Sequence, residues 1–431
     1  MDFLNDPLGV IRAWLAGLLG SFLPAPAVDL TLIVLGALVV GGLGLTTPLF
    51  LIWYERRLIG RMQDRIGPNR VGPEGLFQTV ADALKLLIKE DITPIGADKV
   101  VYNLAPIMAV VSVLTMWAVI PLAVNIVGTD LNIGVLYIVG VGSLGTLAIM
   151  LGGWASNNKY ALLGAFRTVA QLVCYEVPMI LALIVPVLLA SSVGVENPMS
   201  MQEVVRAQSG AWHEWFLFKA PIAFLIFFIA SVAETGRAPF DLLEAESEIV
   251  AGFNIEYSGM KFGMFFVAEF LHAFTVGALV ATLFLGGWSG PFVDQAPLLG
   301  VVYFVVKAFA AYFIIILMRA ALPRIRIDHM LDLNWKFLVP IMLGAIVAVA
   351  VTDKLVSRAA VGPLWNAVAL FGSNLVVAAI ALAWVGRAAR HLRSAEASRT
   401  PPGAAPAVSA AHDERGHAAD AHGHPAPHAA H

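Results

Sequence analysis

Nine apolar runs recur along this chain, each long enough at about 1.5 Å per residue to reach across a bilayer core: 28–54, 101–123, 136–155, 166–191, 216–234, 262–286, 299–319, 336–352 and 363–386. In hydrocarbon, backbone polar groups find no water, so runs of this kind fold as helices that satisfy their own hydrogen bonds. The expected fold is therefore all-α, a polytopic transmembrane helix bundle of about nine spans. The chain is 59% hydrophobic and 13% charged, with a mean hydropathy of +0.79, which excludes an ordinary soluble domain. Three regions follow: an N-terminal surface segment over 1–27, a transmembrane domain over 28–386, and a disordered tail rich in His, Ala and Pro over 387–431. The first 24 residues lack the basic start and small-residue cleavage site of a secretory signal.

Lysine and arginine fix the orientation. With the N-terminus outside, the inner segments hold 21 basic residues and the outer ones 5, an asymmetry that predicts N-out and C-in. The first inner loop has a pattern of its own. Glycine–proline pairs at Gly67-Pro68 and Gly72-Pro73 mark turns. After them Leu76, Val80, Ala83, Leu84, Leu87 and Ile88 share one face of a helix against Gln78, Asp82, Lys85 and Lys89. That amphipathic helix, about Leu76 to Lys89, is too short to span and suits an interfacial position. In the third span Gly140, Gly142, Gly145, Gly152 and Gly153 predict close helix packing, not a nucleotide loop.

Ionisable residues inside apolar spans are the functional candidates. Each costs about 2.5–3.5 kcal/mol to insert, so they are expected to face a polar interior and to pair or relay. Glu176 lies about 15 Å into the fourth span, Glu234 closes the fifth, Glu269 lies about 10 Å into the sixth, and Lys307 sits near the middle of the seventh. An ion pair of Glu269 with Lys307 is the structural alternative to a proton path. His272, a lone histidine, reads as a packing residue. Between spans five and six, Glu234, Asp241, Glu244, Glu246, Glu248 and Glu256 cluster. Pro239 is suited to open a helix that sets Asp241, Glu244 and Glu248 on one face, with Glu246 pointing elsewhere. Two carboxylates about 6 Å apart repel by roughly 3 kcal/mol at an effective dielectric of about 20, enough to keep one of them protonated towards neutral pH.

Other classes of chemistry find no support. One cysteine, Cys174, excludes an internal disulfide, a Cys-ligated cluster or a zinc ribbon within this chain, and no metal site is expected. The histidines of the tail are too irregularly spaced to change that. A net charge of −3 and the lack of a basic run interleaved with aromatics give no reason for a nucleic-acid partner.

Four long motifs carry a resemblance: ERRLIGRMQDRIGPNRVGPEG from Glu55, ADALKLLIKE from Ala81, GWASNNKYALLGAFRTVAQLVCYEV from Gly153 and AETGRAPFDLLEAESEIVAGFNIEYSG from Ala233. Over about 28–350 the chain resembles the H-subunit family of the proton-pumping NADH:quinone oxidoreductase, respiratory complex I. The resemblance implies a bacterial inner-membrane subunit at the heel of the complex, in contact with hydrophilic quinone-site subunits and neighbouring membrane subunits. It implies quinone as substrate, with NADH, FMN and iron–sulfur clusters held by partner subunits and nothing bound covalently here. By position, Glu176, Glu234 and Glu269, with Asp241, Glu244, Glu246 and Glu248, match a carboxylate funnel linking quinone chemistry to a proton path. Arg56, Arg65, Asp82, Arg319 and Arg324 match charged residues of the quinone chamber and its entry, and Lys307 matches a lysine of the seventh span. The ninth span and the tail exceed the common eight-span pattern, and Phe270 stands where some members have tyrosine. Two other readings use the same residue types: a stand-alone ion antiporter, and the ion-translocating subunit of a membrane-bound hydrogenase. The long inner loops disfavour the first, and GPNRVGP and FNIEYSG disfavour the second.

Overall fold

The computed structural model describes residues 7–241, 251–293, 295–358 and 362–399, with backbone alone at 7–8 and 388–399. Apart from one bridge between Ala123 and Ile126, its regular structure is helical. In chain order the main helices are α1 (Pro7–Gly20), α2 (Ala25–Met62), α3 (Gln78–Ile88), α4 (Lys99–Met116), α5 (Gly134–Ala155), α6 (Lys159–Val193) and α7 (Pro221–Glu234). They continue with α8 (Gly259–Phe284), α9 (Leu298–Ala321), α10 (Ile327–Arg358) and α11 (Pro363–Arg399). Eight of these, α2, α4, α5, α6, α8, α9, α10 and α11, are long and apolar enough to cross a membrane.

The fifth expected span is the exception. It is broken at Ala220 (φ −140°, ψ 64°), where the short helix Phe216–Lys219 ends and Pro221 begins α7. Proline has no N–H to carry the ladder through that point. The remaining 14 residues of α7 rise about 21 Å, short of a full hydrocarbon thickness. Helix α2 departs the other way, running past the expected end at 54 to Met62, so that Glu55 and Arg56 stand on its last turns and not in a loop.

Helix α8 is the axis of the bundle. It packs against α2, α4, α7 and α9, while α6 packs on α5, α7 and α10. From Phe270 to Phe284 every residue of α8 is buried except His272. Four of the five glycines singled out on α5, Gly142, Gly145, Gly152 and Gly153, meet close neighbours as the sequence suggests, while Gly140 faces open space; a Cβ on Gly153 would stand 2.3 Å from the Ala165 side chain and 2.9 Å from the Ala161 carbonyl oxygen of α6. That distance of approach is closed to any larger side chain. Beside this contact Tyr102 and Tyr257 stack with centroids 4.2 Å apart, and the Tyr257 hydroxyl donates to the Tyr102 carbonyl at 3.2 Å. Burial, then the neighbouring Tyr102, push the Tyr257 phenol above its ordinary pKa, so it remains a neutral donor.

By internal contacts the chain divides into Met1–Val377 and Ala378–His431, the boundary falling within α11. Within the first unit, α11 is fastened by a buried amide: Asn374 Nδ2 donates to the Lys219 carbonyl at 3.1 Å. Helix α11 continues to Arg399, beyond Arg387 where the composition changes to that of the tail, and 400–431 lie outside the described residues. A chain ending at Arg399 is expected to fold and insert as the full chain does, because the removed segment is too polar and too rich in Ala, Pro and His to bury a core. Loss of folded protein on gel filtration of the truncated form would refute this.

Candidate functional site

At the end of the bundle where α7 stops, a buried ion cluster ties four segments together. Glu55 of α2 is 2% exposed and accepts hydrogen bonds from Arg237, from Arg319 of α9 and, at 2.9 Å, from the Tyr312 hydroxyl. Arg237 is 1% exposed, lies over the Phe270 ring at 4.5 Å, and stands 3.9 Å from Glu269 Oε1 on α8. Two guanidinium groups against two carboxylates make the cluster neutral, which makes its burial tolerable. Burial alone would ease loss of the Arg237 proton; the carboxylates of Glu55 and Glu269 more than reverse this and hold the group above its ordinary pKa. The local chain geometry aims Arg237 inward. Gly236 takes a left-handed φ of 64° directly after α7, its N–H bonded to the Ala233 carbonyl, and so turns the chain back into the bundle.

One cavity adjoins this cluster, and a second shares lining residues with the first. The larger, about 110 Å³, is lined among others by Glu234, Arg237, Asp241, Glu269, His272 and Arg319, with Phe262, Phe265 and Phe266 along one side. The smaller, about 20 Å³, is lined by Glu176, Glu234, His272, Ser231 and Thr275 among apolar residues. At about 10–15 Å³ per water, the larger admits several waters and the smaller about one. Gly142, Glu234 and His272 line both cavities, and so form the wall between them. Glu234 Oε1 lies 4.0 Å from His272 Nε2, and Thr146 Oγ1, facing the larger space, donates to Glu176 Oε1 at 3.4 Å.

The geometry sorts the residues singled out in the sequence. Glu176, Glu234, Asp241, Glu269 and Arg319, drawn from α6, α7, a loop, α8 and α9, converge on this pair of cavities. Arg56 and Asp82 meet elsewhere, as a 2.7 Å ion pair between α2 and α3. Arg65 donates to Gln63 Oε1 at 2.7 Å on an exposed turn, and Arg324 is exposed in the segment between α9 and α10. Glu244, Glu246 and Glu248 lie outside the described residues, as does the helix expected from Pro239 beyond Asp241; Pro239 itself sits in a turn and accepts from the Ile325 N–H at 3.0 Å.

Lys307 does not make the ion pair with Glu269 that stood as the structural alternative to a proton path: its Nζ donates to the Gly287 and Ser289 carbonyls at 3.0 and 2.8 Å and stands 4.5 Å from the centre of the Trp215 ring. Gly286 and Gly287 both have positive φ, 70° and 48°, and that tight turn leaves carbonyls that the ammonium satisfies. Glu55, Arg237 and Tyr312 join the site without having stood out in the sequence. Hydropathy falls at Glu55 and so makes it look like the first loop residue, although a single carboxylate directly after Trp53 and Tyr54 on a long helix is an available signal.

Comparison with known proteins then decides the family. The profile of the family described as NADH dehydrogenase matches residues 35–350. The chain belongs to that family. It is 47% identical over 336 residues to the H-type subunit of the NADH-quinone oxidoreductase of Dehalococcoides mccartyi strain CBDB1, covering 78% of this chain and 89% of that relative. It is 47% identical over 308 residues to an H-type subunit of the same enzyme in Geobacter sulfurreducens, covering 69% and 89%, and 48% identical over 299 residues to that of Geobacillus kaustophilus, covering 69% and 86%. Within the NADH dehydrogenase family it therefore stands with the H-type subunits, as a membrane component of an oxidoreductase complex. The matched region contains the buried cluster and both cavities, and it stops before α11.

Proposed function

We propose that this chain forms much of the wall of a quinone chamber in an NADH-quinone oxidoreductase and couples quinone reduction to proton translocation through its carboxylates. The observation that carries the reading is the convergence of Asp241, Glu269, Glu234 and Glu176, from a loop and three helices, on two adjoining cavities with room for water. In this reading Arg319, at the larger cavity, belongs to the chamber lining, while Arg56, Asp82, Arg65 and Arg324 shape its mouth with α3. Glu244, Glu246 and Glu248 extend the acidic line from Asp241. Reduction of the quinone draws protons in the chamber, and the carboxylates answer by passing protons inward to Glu176. NADH, FMN and iron–sulfur centres belong to partner subunits, and the chain sits N-out and C-in in a bacterial plasma membrane beside hydrophilic and membrane subunits. An engineered cysteine after Arg387 labelled only from the cytoplasmic side supports that orientation, and labelling from outside contradicts it.

A photoreactive quinone tests the chamber directly. On illumination of the assembled complex, label is expected in peptides carrying Phe262 to Glu269 or Arg319, and excess quinone is expected to displace it. Label confined to other subunits would overturn this assignment. Charge at the mouth gives a second result: Arg65→Ala or Asp82→Asn is expected to raise the apparent KM for quinone several-fold while assembly stays near normal. The Asp82 variant also releases Arg56 from its ion pair. Unchanged KM with poor assembly would make both residues structural.

A further inference from the structure

We infer that His272 carries protons across the wall between the two cavities, acting with Glu234 as a two-member relay from the Glu269 side to Glu176. This rests on the carboxylate path proposed above. The larger cavity holds Glu269 and Asp241 and the smaller holds Glu176, and the residues common to both are Gly142, Glu234 and His272. Gly142 has no side chain, so the ionisable groups in that wall are the carboxyl and the imidazole. Between Phe270 and Phe284 on α8, His272 is the one residue that is not buried; its side chain is 20% exposed while its neighbours are sealed, and it lines both cavities. It stands one turn after Glu269 on the same face of α8, and 4.0 Å across from Glu234 on α7. That gap is too long for a direct hydrogen bond, so the transfer needs the two side chains to approach each other.

A second observation places an unpartnered polar atom in the smaller, largely apolar space. Ser231 Oγ is fully buried, lines this cavity, and has no hydrogen-bond partner among the described residues. A buried hydroxyl in that condition is met by water, and the volume admits about one. The relay step balances simply. One ring nitrogen of His272 accepts a proton from the Glu269 side as the other gives one up to Glu234 or to a water beside Glu176, and return of the ring to its starting tautomer resets it. Glu234, Glu176, Glu269, Asp241, Arg237 and Arg319 are the charged groups around these spaces. A parallel hydroxyl route exists in Thr146, which donates to Glu176 from the larger cavity.

The test uses the assembled complex in vesicles with His272→Gln, His272→Ala, Thr146→Val and Glu234→Gln. Glutamine keeps polarity and approximate size but does not carry a proton. His272→Gln is expected to assemble, to lower NADH:quinone turnover several-fold, and to raise the solvent deuterium isotope effect on turnover. Free imidazole is expected to restore part of the rate to His272→Ala and none to Glu234→Gln. Wild-type turnover and isotope effect in His272→Gln, with Glu234→Gln impaired, would overturn the role of His272 and leave the carboxylate path standing. A slow His272→Gln with an unchanged isotope effect and no imidazole rescue would likewise overturn it, as would a Thr146→Val defect larger than that of His272→Gln. Wild-type behaviour of Glu234→Gln would instead remove the reading on which the relay rests.

Discussion

Replacing Glu55 with alanine is expected to abolish most recoverable assembled complex. The change leaves Arg237, 1% exposed, with its main counter-charge gone and with only the more distant Glu269 carboxylate at 3.9 Å. Removing one partner of a buried ion pair costs about 3–5 kcal/mol, because the survivor stays in a medium that does not solvate it. That is a large share of the roughly 5–15 kcal/mol that holds an ordinary domain together. Arg237→Ala is expected to fail similarly, and it also removes the cation seated on Phe270. The informative companion is the double variant Glu55→Leu with Arg237→Met, which removes both buried charges and leaves Arg319, whose side chain is 35% exposed and able to turn to the cavity. Yield of assembled complex and its thermal midpoint should recover in the double variant relative to either single one. If the double variant is as poor as the sum of the singles, the pair is not coupled and the cluster does not fasten the fold.

The second large effect concerns chemistry. Glu234→Gln or Glu269→Gln should assemble normally, since an amide fills the same space and Glu55 keeps the ion cluster closed. On the proposed path, turnover with quinone should nevertheless fall several-fold, because a cycle that needs proton movement to finish stalls when one carrier no longer binds protons. Aspartate at either position keeps an ionisable group about one methylene short of its place and should retain part of the rate. NADH:quinone turnover per assembled complex reads this series directly. A flat series across Glu, Asp and Gln would mean that these acids only line a polar space, since exposed or merely solvated carboxylates contribute little individually.

Most of the helical architecture is legible because lipid enforces it: a long apolar run has no alternative to a helix. What hydropathy does not see is where a helix ends when its last turns are charged, and so Glu55 reads as loop although α2 continues to Met62. Nor does it register a break inside an apolar stretch. Pro221 stands in the sequence, but only the φ of Ala220 shows that the fifth span is cut short there. The carboxylates of the site are identifiable by type and depth, and those among the described residues do converge on common cavities. Their relation to Arg237 is not, because the pairing of Glu55 with a residue 182 positions away leaves no local pattern. For Lys307 the residue type suggests a relay, and its immediate partners, the backbone carbonyls of a glycine turn, are not revealed by residue types alone. His272 reads as packing in the sequence, and its place in the wall between two cavities emerges only once α5, α7 and α8 are assembled.

The proposed link between quinone chemistry and proton movement through the carboxylates of this chain meets its most direct test in sealed vesicles with matched complex content. There NADH:quinone turnover is recorded beside formation of the pH gradient for the wild type, Glu234→Gln and Glu269→Gln. Both quantities are expected to fall together, several-fold, in each glutamine variant, with assembly unchanged. Wild-type turnover and a wild-type gradient in both variants would contradict the link.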